Sequence, residues 1–132
     1  MSRELFWLTL TVAMTLLFWV PYILDRIQRR GLMGAMDNPG PNDPPQSAWA
    51  ERQMRAHTNA VESLVTFAPL VLIVDSLDIS NNVTAGACII YFWARLVHYI
   101  VYTMGIPVAR TLAFAVGWFA QAALVLAIFR LV

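Results

Sequence analysis

Apolar positions run almost unbroken through four stretches of the chain, and the polar residues gather between them or at their ends. The first stretch, Leu5 to Leu24, reads LFWLTLTVAMTLLFWVPYIL, twenty residues without a charge. As a helix it measures about 30 Å, enough to cross a hydrocarbon core. Arg3 stands beside Glu4, and the run ends in VPYILDRIQRR, so it lacks the basic leader and small-residue cleavage site of a signal peptide. It is expected to be retained as a span, with Pro21 bending its last turn. The segment Gly31 to Gln46, GLMGAMDNPGPNDPPQ, is dense in proline and glycine and predicts a loop. Ser47 is placed to cap a second helix, with Glu51 in its first turn and Pro69 inside, continuing through Leu77. DISNN makes a short turn before a third helix from about Val83 to Met104. Gly105 and Pro107 then supply a stop and a restart, and Thr111 to Phe129 forms an uncharged fourth span.

Composition agrees with this pattern. With 59% apolar residues, 13% charged and a mean hydropathy of +0.61, the chain is too apolar to be a water-facing shell around one small core. The expected fold class is an all-α integral membrane protein, a four-helix bundle forming one domain over residues 1–132. A net charge of +1, from nine Arg, no Lys and eight acids, provides no basic field for nucleic acid. Cys88 is the only cysteine, which excludes an internal disulfide or a paired-cysteine metal site and suits small apolar filler. His57 and His98 have no supporting metal pattern, so neither haem nor another metal is expected.

The arginines set an expected orientation. Arg26, Arg29, Arg30, Arg52, Arg55 and Arg110 fall on one side of the four spans, while Arg3 and Arg130 fall on the other. The positive-inside rule puts the first group in the cytoplasm. Arg29, Arg30 and Arg130 read as interfacial anchors.

This topology brings three polar clusters to the cytoplasmic end: Arg55, Asn59 and Glu62 on the second span, Arg95, His98 and Tyr102 on the third, and Arg110 with Thr111 opening the fourth. Spacings of three and four residues place each of the first two sets near one helix face. Glu62 and Arg95 lie deepest, and a lone charge in a membrane is costly, so an ion pair between them is expected. Read from spacing, the clusters could tie the bundle together, line an inward-facing polar cavity, or form an ion or proton path.

The stretches ERQMRAHTNAVESL before the Pro69 helix, ARLVHYIVY on the third span, and GIPVARTLAFAVG opening the fourth resemble the MAPEG family, the membrane-associated proteins in eicosanoid and glutathione metabolism. The resemblance covers almost the whole chain in order. It implies a homotrimer of left-handed four-helix bundles with a glutathione site between neighbouring subunits, facing the cytoplasm. Glutathione would be the co-substrate. Arg55, Asn59 and Glu62 would hold its backbone and charged ends, with Arg95, His98 and Tyr102 contributing from the third span. Arg110 would approach the sulfur, and Thr111, in place of a serine common in a prostaglandin-forming branch, keeps a hydroxyl there. A small lipophilic electrophile or hydroperoxide would arrive from membrane lipid between the first and fourth spans. Two positions depart from the better-known catalytic members: Thr58 stands where an arginine often clamps glutathione, and Phe114 replaces a tyrosine. Arg26 or Arg29 is the available replacement for the lost cation. The alternative to an enzyme is a non-enzymatic scaffold or lipophile-binding protein on the same fold. Short loops and four compact spans fit a bacterial inner membrane as well as an internal eukaryotic one, and the bacterial inner membrane is the expected location.

Overall fold

The computed structural model describes residues 1–132. It is an all-α bundle of five helical segments: α1 (Arg3–Leu17), α2 (Val20–Met36), α3 (Ala48–Ser76), α4 (Asn82–Met104) and α5 (Pro107–Ile128). Together α1 and α2 make one long apolar unit, so four helical units are long and apolar enough to cross a membrane. The chain is an integral, multi-pass membrane protein.

The first span breaks earlier than its sequence suggests. Pro21 has no N–H to donate and crowds the preceding turn, and the helix is interrupted at Phe18 and Trp19 rather than bent at its last turn. Tyr99 closes the break from α4: its hydroxyl donates to the Phe18 carbonyl at 2.7 Å and its ring stacks on Phe18 with centroids 3.7 Å apart. The expected loop from Gly31 is also shorter than predicted. Helix continues to Met36 across a kink at Gly31, where φ is +72°, a value that glycine alone adopts without strain.

Ser47 does precede α3, but its side chain makes no capping bond to that helix. Its hydroxyl and its N–H instead donate to the buried Asp25 carboxylate of α2, at 2.5 and 3.0 Å. A carboxylate fixed this way orients the start of α3 against the end of the first span. Pro69 leaves α3 helical throughout its 29 residues. At the other end of the bundle, Asn81 caps α4 in a reciprocal pair with Thr84. The Thr84 hydroxyl also reaches the buried Glu4 carboxylate of α1, which Ser80 holds from 2.8 and 2.9 Å.

The packed pairs are α4–α5, α3–α4, α1–α4, α1–α3, α3–α5 and α2–α3. Lipid tails are as apolar as leucine, so close packing and polar ties, rather than escape from water, hold such helices together. Ala113, Gly117, Ala120, Leu124 and Ala127 are the buried positions of α5, spaced by three and four, and four of the five are small. They let α4 approach closely. The interior around them contains the stacked rings of Phe67 and Tyr91, 3.7 Å apart, with Leu8, Val71, Val74 and Leu124. Cys88 is a buried free thiol in the same cluster.

Candidate functional site

Twenty-nine residues of helix measure about 44 Å, longer than a hydrocarbon core, so the first turns of α3 extend toward the headgroups. Along that part of α3 a cleft of about 540 Å³ is lined by Glu51, Met54, Arg55, Thr58, Asn59 and Glu62, with Tyr102 opposite on α4. The size lies in the range of small-molecule sites. Glu51 joins the site here although the sequence marks it only as a first-turn acid; its four-residue spacing from Arg55 places both on one helix face.

The two ion pairs of the structure, Arg29–Asp25 and Arg30–Asp43, lie at the α2–α3 connection. Arg55 and Glu62 therefore face the cleft with no ion partner, and both are exposed. The expected Glu62–Arg95 pair does not form. Arg95 is buried and donates through Nη2 to Asn59 Oδ1 at 2.6 Å, because Asn59 lies on the α4-facing side of α3 while Glu62 turns outward. The Arg95 stem packs against Gly117, where an added Cβ would lie 3.7 Å from Arg95 Cδ. A neutral amide thus meets the buried guanidinium, and the carboxylate stays available to the cleft.

The remaining candidates sit at graded distances from this cleft. His98 is buried beside Tyr102, ring centroids 5.6 Å apart, and its Nδ1 has no hydrogen-bond partner, as is also true of Arg95 Nε. Arg110 is half-buried and stacks its guanidinium on the Tyr102 ring, 4.5 Å from the centroid. That contact brings it to the rim through Tyr102. Thr111 is exposed, and its hydroxyl donates to the Pro107 carbonyl of its own helix at 3.1 Å. Thr58 donates likewise to Met54, at 3.0 Å.

Arg26 and Arg29 do not reach the cleft within the chain. Arg26 donates to Gln46 at 3.1 Å and Arg29 to Ser47 at 3.0 and 3.2 Å. Arg30 is more than an anchor, since it donates to the Pro44 carbonyl at 2.9 Å and fastens the loop. Arg52 is structural as well, because its Nε donates to the Thr103 carbonyl at 2.9 Å, at the end of α4. There Gly105, at φ +79°, lets its own N–H reach Tyr102 O and the Ile106 N–H reach Val101 O, which closes the helix.

Sequence reasoning missed a polar trio further along the same side. Ser63 and Thr66 of α3 meet Gln121 of α5, and Ser63 pairs with the Tyr91 hydroxyl at 2.7 Å. The available signal was a glutamine inside an otherwise apolar span.

No curated protein matches this chain. Residues 5–130, which contain all of the helices but the first two residues of α1, match the model of the MAPEG family, and the chain belongs to that family.

Proposed function

We propose that this chain is a membrane glutathione transferase or peroxidase, active as a homotrimer, with its cleft toward the cytoplasm. Family membership supports a broad enzymatic role of the transferase and peroxidase kind. The observation that carries the more specific reading is the open cleft in which Arg55 and Glu62 present unpaired charges of opposite sign. Glutathione has two carboxylates and one ammonium. A guanidinium can fork onto a carboxylate, and Glu62 can take the ammonium. Asn59 supplies the amide between them, held in place by buried Arg95. Tyr102 closes the opposite wall, and His98 packs behind it.

The chemistry needs a thiolate, and a free thiol with a pKa of about 8.5 is mostly protonated at neutral pH. Arg110, resting on Tyr102 at the rim, is the cation placed to stabilise it. Lowering the pKa by about two units needs about 2.7 kcal/mol of differential stabilisation. The sulfur then forms a bond to an electrophilic carbon, and the displaced electron pair stays on the leaving atom, which takes up a proton. In this scheme Thr111 turns its hydroxyl from Pro107 toward the sulfur. An entrance between the first and fourth spans belongs to the assembly, because α1 and α5 are not a packed pair within one chain.

A second reading, a lipophile-binding scaffold without turnover, is favoured by the Thr111 hydroxyl being occupied by its own helix. One titration separates them. Reduced glutathione added to the detergent-solubilised protein should show thiolate absorbance below the pH at which the free thiol ionises, and Arg110→Ala should lose it while keeping its oligomer. Binding without thiolate would reject the transferase reading.

A further inference from the structure

At the end of the bundle opposite the cleft, a separate groove of about 510 Å³ runs between α4 and α5. Asn82, at its mouth, is its only polar side chain, and Val83, Ile90, Phe119 and Ala123 are among its apolar walls. From Asn82 to Ile90 the groove follows α4 for about 12 Å, close to the half-thickness of a hydrocarbon core about 30 Å deep. Its volume over that length gives a cross-section of about 40 Å². That is room for an alkyl chain or two, and about half the section of a helix 10 Å across.

Gly86 lies in this groove, and nothing in the chain explains it. Its backbone is ordinary helix, where glycine is the least favourable residue after proline. A Cβ added there would meet no atom within 4 Å, whereas one added at Gly117 would touch Arg95, Ala94 and Tyr91. Gly117 is thus used by packing inside the bundle, and Gly86 leaves space open on its surface.

A cation stands at the mouth. Arg3 is exposed and belongs to neither ion pair of the structure. Its Nη1 and Nη2 both donate to Asn82 Oδ1 at 3.4 Å, long bonds that a stronger acceptor would displace. The nearby carboxylates are engaged elsewhere: Glu4 is buried and takes the hydroxyls of Ser80 and Thr84, and Asp75 accepts from Ser2 at 2.9 Å. A guanidinium so placed can fork onto a phosphate.

We infer that the α4–α5 groove is a phospholipid site, with an acyl chain lying along Gly86 and the lipid phosphate on Arg3 beside Asn82. The match of groove length to one leaflet sets the chain, and the free cation at the mouth sets the anion. Neither the cleft nor glutathione enters the inference.

The test titrates the purified, delipidated full chain in mild detergent with dioleoyl phosphatidylglycerol, and with dioleoylglycerol, which has the same chains without the phosphate. Native mass spectrometry reads the lipids bound per protomer and the mass of the assembly together. One phospholipid per protomer should saturate first, bound roughly tenfold more tightly than dioleoylglycerol, the low end for hydrogen bonds to a charged group. Arg3→Gln should bring that ratio to about one. Gly86→Leu fills the groove without a clash at Cβ, so it should abolish saturable binding of both lipids while the assembly keeps its wild-type mass. Equal binding of the two lipids by wild type overturns the inference, as does a preference that survives Arg3→Gln or a saturable site that survives Gly86→Leu. Absence of saturable binding overturns it too. An assembly that falls to a smaller mass in Gly86→Leu would assign the groove to a neighbouring chain and overturn it likewise. Should Gly86→Leu not fold, the wild-type ratio and its response to Arg3→Gln still decide.

Discussion

The Glu62 carboxylate makes no hydrogen bond or ion pair within the chain, and that isolates its functional role from a structural one. Glu62→Gln should leave thermal stability in detergent within about 0.5 kcal/mol of wild type, the range of exposed positions without partners. Isothermal titration should at the same time show weaker glutathione binding. Unchanged affinity would remove Glu62 from the site. Asn59 behaves in the opposite way, because it accepts the hydrogen bond of a buried guanidinium. Asn59→Leu strands that donor and should cost about 1.5–3 kcal/mol, the range for hydrogen bonds to charged groups, seen as a lowered midpoint in detergent unfolding. A midpoint equal to wild type would show that Arg95 finds another acceptor. The cluster Arg55, Asn59, Glu62 was legible from spacing alone, since one helix face collects positions three and four apart. The partner of Arg95 was not. Periodicity places Asn59 and Glu62 near one face, but the rotation of α3 against α4 decides which of them meets the guanidinium.

Elements join here through buried carboxylates. Asp25 fixes the start of α3 through Ser47, and Glu4 fixes the start of α4 through Ser80 and Thr84. At an ordinary helix start, aspartate is as good a cap as serine. At position 47 it would face the Asp25 carboxylate at hydrogen-bond distance. Ser47→Asp should therefore destabilise the protein, by about 1–3 kcal/mol, rather than leave it unchanged. A neutral or stabilising result in thermal unfolding would show that Asp25 can turn away. Helix ends were readable where their chemistry is local, at the DISNN turn leading into α4 and at Gly105 after it, whereas Ser47 precedes α3 but spends its hydroxyl on Asp25 instead of a cap. The break at Phe18 and Trp19 and the extension to Met36 were not, because each depends on what lies across the bundle. Tyr99 donates to the carbonyl at the break, while Arg26, Arg29 and Arg30 bind the loop back onto α2.

For the whole molecule, the proposed trimer predicts a particle three times the protomer mass of 14.8 kDa in native mass spectrometry from mild detergent. A monomeric particle with retained glutathione binding would place the complete site within one chain.

Four spans, their order and the end of the bundle that gathers the polar residues followed from the sequence by itself. Each of these depends on the length of an apolar run or on helical period, both properties of the local chain in lipid. Tertiary structure decided which polar groups are partners and which are left free. Arg95 meets Asn59, Arg52 closes α4, and Asp25 and Glu4 become buried ties, while Arg55 and Glu62 remain open to a ligand. Pairing of this kind is set by helix rotation and by the approach that Gly117 and its small neighbours permit, and no spacing along a single helix encodes it.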